Sequence, residues 1–143
     1  MSSESPNEEL LEHVLLPVAN EDDALATARA LKPYGPNHVT VLHVVEKGGG
    51  VPDKSPVEQS EELAAESYAA VRSVFPDADD HTAYGRDVAD EIFEAAGEVD
   101  ASAIAYRARG GNRLMNFLSG DISLSLVTEA DRPVIALPRE DEI

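Results

Sequence analysis

Arginine and glycine are concentrated in one short stretch of this 143-residue acidic chain. Its cations are Arg107, Arg109 and Arg113, and the adjacent glycines Gly110 and Gly111 separate two of them. Glycine lets the backbone turn tightly and approach a ligand closely. Guanidinium groups bind phosphate and carboxylate through paired hydrogen bonds. The chemistry that this stretch favours is therefore the binding of an anion.

The segments around this stretch predict where it lies in the fold. The apolar run 101–106 precedes it and predicts a buried strand. A helical pattern follows, beginning near Gly120, Asp121 and Ile122. Backbone N–H groups and the helix dipole favour phosphate at the N-terminus of a helix. A loop that leaves a strand and enters a helix is thus a suitable place for a phosphate group.

The charged residues of this region also have simpler interpretations. The arginines can neutralise carboxylates, because the chain has 28 acidic residues against 11 cationic ones and a formal net charge of -17. Asp121 can be an ordinary helix cap, since aspartate is among the best cap residues. It can also pair with Arg107 or Arg113 and fill the phosphate position from within. These alternatives stay open at the level of the sequence.

The composition restricts the partners and the location that we expect. A strongly negative charge disfavours nucleic acid and anionic membranes as partners. Three lysines and a dense carboxylate surface are typical of a protein from a salt-rich cytoplasm, where repulsion is screened. The chain has no cysteine, which fits a reducing compartment. It has no signal peptide or long apolar run, so we expect a cytoplasmic protein.

Alternating strand and helix patterns predict an α/β fold. Runs rich in apolar and β-branched residues predict strands at 13–18, 38–45, 80–85, 101–106 and 133–137. Four helices are predicted between them, two with cap residues at Asn20 and Ser55 and a third that begins at Asp87. This order predicts an open parallel sheet with helices on both faces and a ligand beyond the carboxyl ends of the strands. We expect one domain over residues 10–138, a flexible tail over 1–9 and an acidic tail over 139–143.

Two sets of residues are predicted to be structural. Leu25, Ala28 and Leu31 have the spacing of one buried helix face. The histidines lie at or within the predicted strands and have no metal-ligand spacing, so we expect no metal site. They are His13, His38, His43 and His81.

The chain resembles the universal stress protein family at the arginine and glycine stretch. The nucleotide loop of that family reads Gly, two residues, Gly, nine residues, Gly and then Ser or Thr. Here the frame reads Arg107-x-x-Gly110-x9-Gly120-Asp121, so two of the three glycines are present. The resemblance covers residues 12–138. It implies a Rossmann-like sheet with strand order 3-2-1-4-5, related to the adenine-nucleotide alpha-hydrolase fold.

The resemblance also implies where a nucleotide would bind and which contacts have changed. Members that bind ATP have an aspartate just after the first strand, where this chain has Ala19. Val44 matches a position that touches adenine mainly through its backbone, although core packing also explains a valine in a strand. The full set of candidate binding residues is Ala19, Val44, Arg107, Arg109, Gly110, Gly111, Arg113, Gly120, Asp121 and Ile122.

The sequence therefore favours a universal stress type of protein that acts in stress adaptation by binding, with an altered ATP loop and poor ATP binding. Two alternatives are a sensor of a nucleotide or phosphate ligand that uses the three arginines, and a weak nucleotide hydrolase. The chain lacks a nucleophile elbow, a P-loop and an HExxH motif, so a catalytic role is disfavoured. No cofactor is required, although ATP or another phosphate-bearing ligand is compatible with the loop. The resemblance implies a homodimer that pairs through the last strand, Val134 to Leu137.

Overall fold

The strands and helices alternate along the whole described part of the chain. The structure, a computed structural model, describes residues 10–46, 55–107 and 120–137. The predicted tails and four candidate binding residues, Arg109, Gly110, Gly111 and Arg113, lie outside these ranges. The strands are β1 (Val14–Val18), β2 (Val39–Glu46), β3 (Asp79–Gly85), β4 (Ala103–Tyr106) and β5 (Val134–Ala136). The helices are α1 (Glu21–Leu31), α2 (Ser55–Arg72), α3 (Val88–Glu98) and α4 (Gly120–Glu129), with a 3-10 turn at Lys32–Tyr34.

The five strands form one parallel sheet. Their order is β3-β2-β1-β4-β5, as predicted. β1 pairs with β2 on one side and with β4 on the other, and both pairings are parallel. The chain first builds the sheet outwards from β1 to β3 and then returns to the other side of β1 with β4. The topological switch therefore lies between β1 and β4.

Each face of the sheet has its own core. Leu16 and Val18 of β1 pack with Leu31 of α1 and with residues of α2 on one face. Leu15 of β1 packs with residues of α3 and α4, including Leu126, on the other face. Both faces of β1 are buried, which explains its nearly continuous apolar run.

The buried face of α1 differs from the prediction. Ala28 and Leu31 are fully buried, but Leu25 is only half-buried. Asp23 and Thr27 lie inside instead, with exposed fractions of 1% and 0%. These two side chains bond to each other and to the backbone, so their burial satisfies polar groups that apolar spacing does not reveal.

Two predicted boundaries also shift. The fourth strand begins at Ala103 instead of Ala101, and Ser102 just before it bonds across to the residue before β1. Its N–H donates to His13 O at 2.7 Å. α2 already includes Ser55, which was predicted as its cap. Within the described ranges, no helix is both long and apolar enough to span a membrane.

The two edges of the sheet have different character. β3 forms one edge over seven residues, with the carboxylate residues Asp79 and Asp80 exposed. β5 forms the other edge over three apolar residues, Val134–Ala136. These edges bear on how copies of the chain can associate.

Candidate functional site

The carboxyl edge of the sheet brings together predicted site residues from three strands. Val18 pairs with His43, so the same register places Ala19 beside Val44. β1 and β4 pair at Val14 with Ala103 and at Leu15 with Ile104, near their amino ends. Among the described residues no further pair joins these two strands. Their carboxyl ends therefore border the switch point, where ligands bind in open α/β sheets.

The segment after β1 is closed by a network of hydrogen bonds at the start of α1. The Asn20 side chain caps the helix, and its Oδ1 accepts from the Asp23 N–H at 2.9 Å. Asp23 in turn reaches back, and its Oδ2 accepts from the Ala19 N–H at 2.7 Å. This arrangement resembles a capping box, except that the Asp23 carboxyl group accepts from the residue before the cap and not from Asn20 itself.

Asp23 places a buried carboxylate at this edge. Thr27 Oγ1 donates to Asp23 O at 2.7 Å and lies 3.4 Å from Asp23 Oδ1. The carboxyl group that the resemblance expects at residue 19 is thus supplied by a residue one helical turn later. It is already used to hold the backbone of Ala19.

Arg107 follows β4 directly and is half-buried. Its Nε atom is buried and has no hydrogen-bond partner among the described residues. A guanidinium group carries five N–H donors, and a buried donor without a partner costs about 1–3 kcal/mol or more. An anion bound at this edge would remove that cost. Arg107 is therefore the described residue with the clearest capacity to hold a phosphate or carboxylate group.

His43 does not add a positive charge to the site. It is 5% exposed and lies opposite Val18 in the sheet. Burial lowers the pKa of His43, and a hydrogen bond with the Val18 backbone only partly opposes this effect. The imidazole is therefore neutral at neutral pH.

Val44 supports the packing interpretation of its role. It is 5% exposed and belongs to the core cluster that includes Leu42 and Ile104. Its side chain is used in the interior, which leaves only its backbone for a ligand.

The remaining described candidates lie at the start of α4. Gly120, Asp121 and Ile122 are the first three residues of this helix. Asp121 is the second residue of the helix, in its first turn, where the helix dipole favours a carboxylate.

The histidine and carboxylate groups form no metal centre in the described ranges. No cluster of three or more such side chains there is arranged to hold an ion. His81 pairs with Glu98 at 3.2 Å, and His38 pairs with Asp79 at 2.8 Å. These histidines link structural elements at the surface.

Sequence reasoning missed Asp23, although a signal was present. Asn20 is followed three residues later by an acidic residue, which is close to the pattern of a capping box. Acidic residues at 21–23 also suit the first turn of any helix, which hides this signal. The pattern would have indicated that one of them turns inward.

Comparisons with known proteins agree with this architecture. The chain matches no curated protein. The structure of a universal stress protein from Archaeoglobus fulgidus is 22% identical, with a TM-score of 0.67 over 89% of this chain and 98% of that chain. The structure of the universal stress protein from that organism in complex with dAMP has a TM-score of 0.64 and is 22% identical, over 90% of this chain and 99% of that chain. The structure of a universal stress protein family protein from Arabidopsis thaliana with AMP bound has a TM-score of 0.62 and is 16% identical, over 91% of this chain and 93% of that chain.

These structures share the fold at low identity, and the assignment to a family rests on a separate match. The sequence model described as "Universal stress protein family" matches residues 11–138, which is most of the chain and the whole of the sheet. The chain therefore belongs to the universal stress protein family.

Proposed function

We propose that this protein acts in stress adaptation by binding and not by catalysis, and that its altered nucleotide loop binds ATP poorly. The observation that carries the proposal is the hydrogen bond from the Ala19 N–H to the buried carboxylate of Asp23. Ala19, the residue after β1, has no polar side chain that could bind a nucleotide, and its backbone N–H already donates to Asp23. Family relatives hold dAMP and AMP. A nucleotide in this chain would lack one of the contacts that the family resemblance implies.

Charge adds a second reason to expect weak ATP binding. Asp23 lies at the start of α1, and Asp121 takes the place of the hydroxyl residue that the family has at the start of α4. Two unit charges about 4 Å apart repel by roughly 4 kcal/mol at an effective dielectric constant of about 20, equivalent to about a thousand-fold in affinity. A triphosphate at the start of α4 would meet the carboxylate of Asp121 where other members present a neutral hydroxyl group.

The test compares the unmodified chain with variants that restore the family pattern. Asp121→Ser removes one carboxylate, and Ala19→Asp and Arg107→Gly restore the other two altered positions. Equilibrium dialysis at one salt concentration should show weak ATP binding by the unmodified chain. It should show tighter phosphate binding by Asp121→Ser and a preference for ATP in the triple variant. Tight ATP binding by the unmodified chain would overturn the proposal.

A second candidate function is a sensor of a phosphate-bearing ligand, and the buried Nε of Arg107 favours it. In this case the guanidinium group replaces the lost glycine contact and provides the charge for an anion. Arg107→Gln should then reduce inorganic phosphate binding about tenfold or more, since hydrogen bonds to charged groups contribute about 1.5–3 kcal/mol. Arg86→Gln is the matched control, because Arg86 is exposed just after β3 at the same sheet edge. Equal losses in the two variants would argue for general charge attraction. Turnover of bound ATP would instead support a weak hydrolase.

We also propose that the protein pairs with a second copy through β5. This strand leaves three apolar residues at the sheet edge. Beside it lies an apolar groove of about 400 Å³ whose lining includes Leu31, Tyr34 and Ile135. An open apolar edge favours strand pairing, and a two-fold pair closes it. Sedimentation at micromolar concentration and high salt should give a dimer, and a monomer there would rule out this assembly.

A further inference from the structure

The amino edge of the sheet, opposite the candidate ligand site, holds two histidines in contact. His13 lies just before β1 and His38 just before β2. Their ring centroids are 4.6 Å apart with an interplanar angle of 61°, an edge-to-face contact. His13 Nε2 lies 2.7 Å from Thr40 Oγ1, and Thr40 is 2% exposed. One imidazole is thus held between a second imidazole and a buried hydroxyl group.

The backbone of the same residue is fixed to β4. The His13 N–H donates to Ser102 Oγ at 2.9 Å, and the Ser102 N–H donates to His13 O at 2.7 Å. The Ser102 hydroxyl group donates to Leu10 O at 2.8 Å. The Asn37 N–H donates to Leu11 O at 2.9 Å. The segment from Leu10 to His13 is therefore fastened to the strands on both sides of β1.

This segment also shapes a surface away from the histidines. Leu10 and Leu11 form one wall of the apolar groove beside β5, together with Tyr34 and Leu137. The position of the segment therefore determines whether that groove keeps its shape.

Several charged groups face His13 from the elements around it. They are His38 at the start of β2, Asp79 at the start of β3, Asp100 in the turn after α3 and Glu12 in the same segment. The carboxylates favour a charged imidazole, whereas burial and the neighbouring His38 disfavour it. The unfavourable effects are larger, so the pKa of His13 lies below its ordinary value.

We propose that the His13–His38 pair is a proton-sensitive latch for the Leu10–His13 segment. With His13 neutral, the edge-to-face contact and the Thr40 hydrogen bond hold the segment against β2 and β4. A proton on His13 places a charge in a half-buried site beside an imidazole that is itself paired with Asp79 at 2.8 Å. The latch opens to relieve this cost, and the groove wall formed by Leu10 and Leu11 loosens with it.

The direction of the pH effect follows from the two states of the latch. In the closed state His13 resists protonation, and in the open state it returns to about its ordinary value of 6.5. Above that pH both states are neutral and the latch is fully closed. As pH falls below it, the open state takes up the proton that the closed state refuses. The open fraction therefore rises until the pH reaches the lowered pKa of the closed state.

The test is an NMR titration of the histidine ring protons, combined with amide hydrogen exchange. His13 should titrate below 6.5, and His38→Gln should raise the pKa of His13 because it removes the neighbouring imidazole. The protection factors of the Asn37 and Ser102 amides should fall as pH decreases through this range. The fall should be about tenfold for each unit by which the pKa is lowered. In His13→Gln the two protection factors should be independent of pH.

His81→Gln is the matched control, since His81 pairs with Glu98 and not with another imidazole. It should leave the pKa of His13 and both protection factors unchanged. The amide of Val99, which donates to Ala95 O within the helix end, serves as an internal reference. The proposal is overturned if His13 titrates at or above its ordinary value, or if His38→Gln does not shift it. It is also overturned if protection at Asn37 and Ser102 does not depend on pH. If His13→Gln does not fold, the His38→Gln titration alone decides.

Discussion

The backbone N–H of Ala19 donates a 2.7 Å hydrogen bond to Oδ2 of Asp23, four residues later in the chain. This contact joins the carboxyl end of β1 to the first turn of α1. It satisfies a backbone donor that would otherwise face the ligand edge, and it fixes the only carboxylate that is buried among the described residues of that edge. The Asp23 side chain is therefore expected to affect both the stability of the fold and the binding of a ligand at this edge.

Asp23→Ala should destabilise the fold more than the same substitution at the neighbouring residue does. The variant leaves the Ala19 donor without its partner, which should lower the free energy of unfolding by about 1–3 kcal/mol. Asp22→Ala is the matched control, because Asp22 is exposed in the same helical turn. Chemical denaturation of the two variants measures the difference. Equal and small losses would mean that the Asp23 network contributes little.

The core on the α4 side of the sheet gives a second matched pair. Leu126 is fully buried and Val127 is 54% exposed. Leu126→Ala should lower the free energy of unfolding by about 2–5 kcal/mol, since it removes buried methyl groups and leaves a cavity. Val127→Ala should change it by less than about 0.5 kcal/mol. Thermal and denaturant unfolding test this, and similar losses at the two positions would contradict the packing of α4 described above.

Acidification should weaken the fold partly through His43. Burial lowers the pKa of His43 below its ordinary value of 6.5, so the folded protein keeps it neutral. Above that value neither state is protonated and stability is complete. As pH falls below it, the unfolded chain binds a proton that the folded chain refuses, and stability is lost until pH reaches the folded pKa. Unfolding measured against pH should show a smaller slope for His43→Gln than for His81→Gln. Identical slopes would exclude His43 as a source.

Salt should stabilise this protein strongly. Seventeen excess negative charges repel one another, and the screening length falls from about 30 Å at about 0.01 M salt to about 3 Å at about 1 M. The melting temperature should therefore rise over this range. Comparison of sodium chloride with an equal ionic strength of potassium chloride separates screening from specific ion binding. A melting temperature that does not change would remove the inference of a salt-rich environment.

The sequence predicted the fold well because the relevant signals are local. Asn20 accepts a hydrogen bond from a helix N–H group, as predicted for a cap, and Asp87, predicted to begin its helix, does the same at the start of α3. The apolar run before Ala19 is buried throughout because a central parallel strand has helices on both sides. Family resemblance then supplied the strand order, which local patterns do not determine.

The candidate site was harder to predict because its contacts depend on where each side chain points and not on the spacing of residue types along the sequence. In the sequence, Asp23 is one of many acidic residues. It is distinguished only by its side chain, which points back towards Ala19. In the sequence, Ser102 belongs to an apolar run that predicts a strand. In the structure it bonds to His13 and Leu10. The contact between His13 and His38 joins residues that are 25 positions apart. No periodic pattern reports such a pair.

The unequal edges of the sheet determine how far self-association can proceed. Exposed carboxylates along β3 would repel the same strand of a second copy, whereas the short apolar β5 is the edge through which we propose that two copies pair. A sheet that can be extended from one side only stops growing once that side is covered. In the proposed dimer, pairing at β5 would therefore end in a closed unit of two, and fibre growth, which requires two adhesive edges, would have no second edge to use.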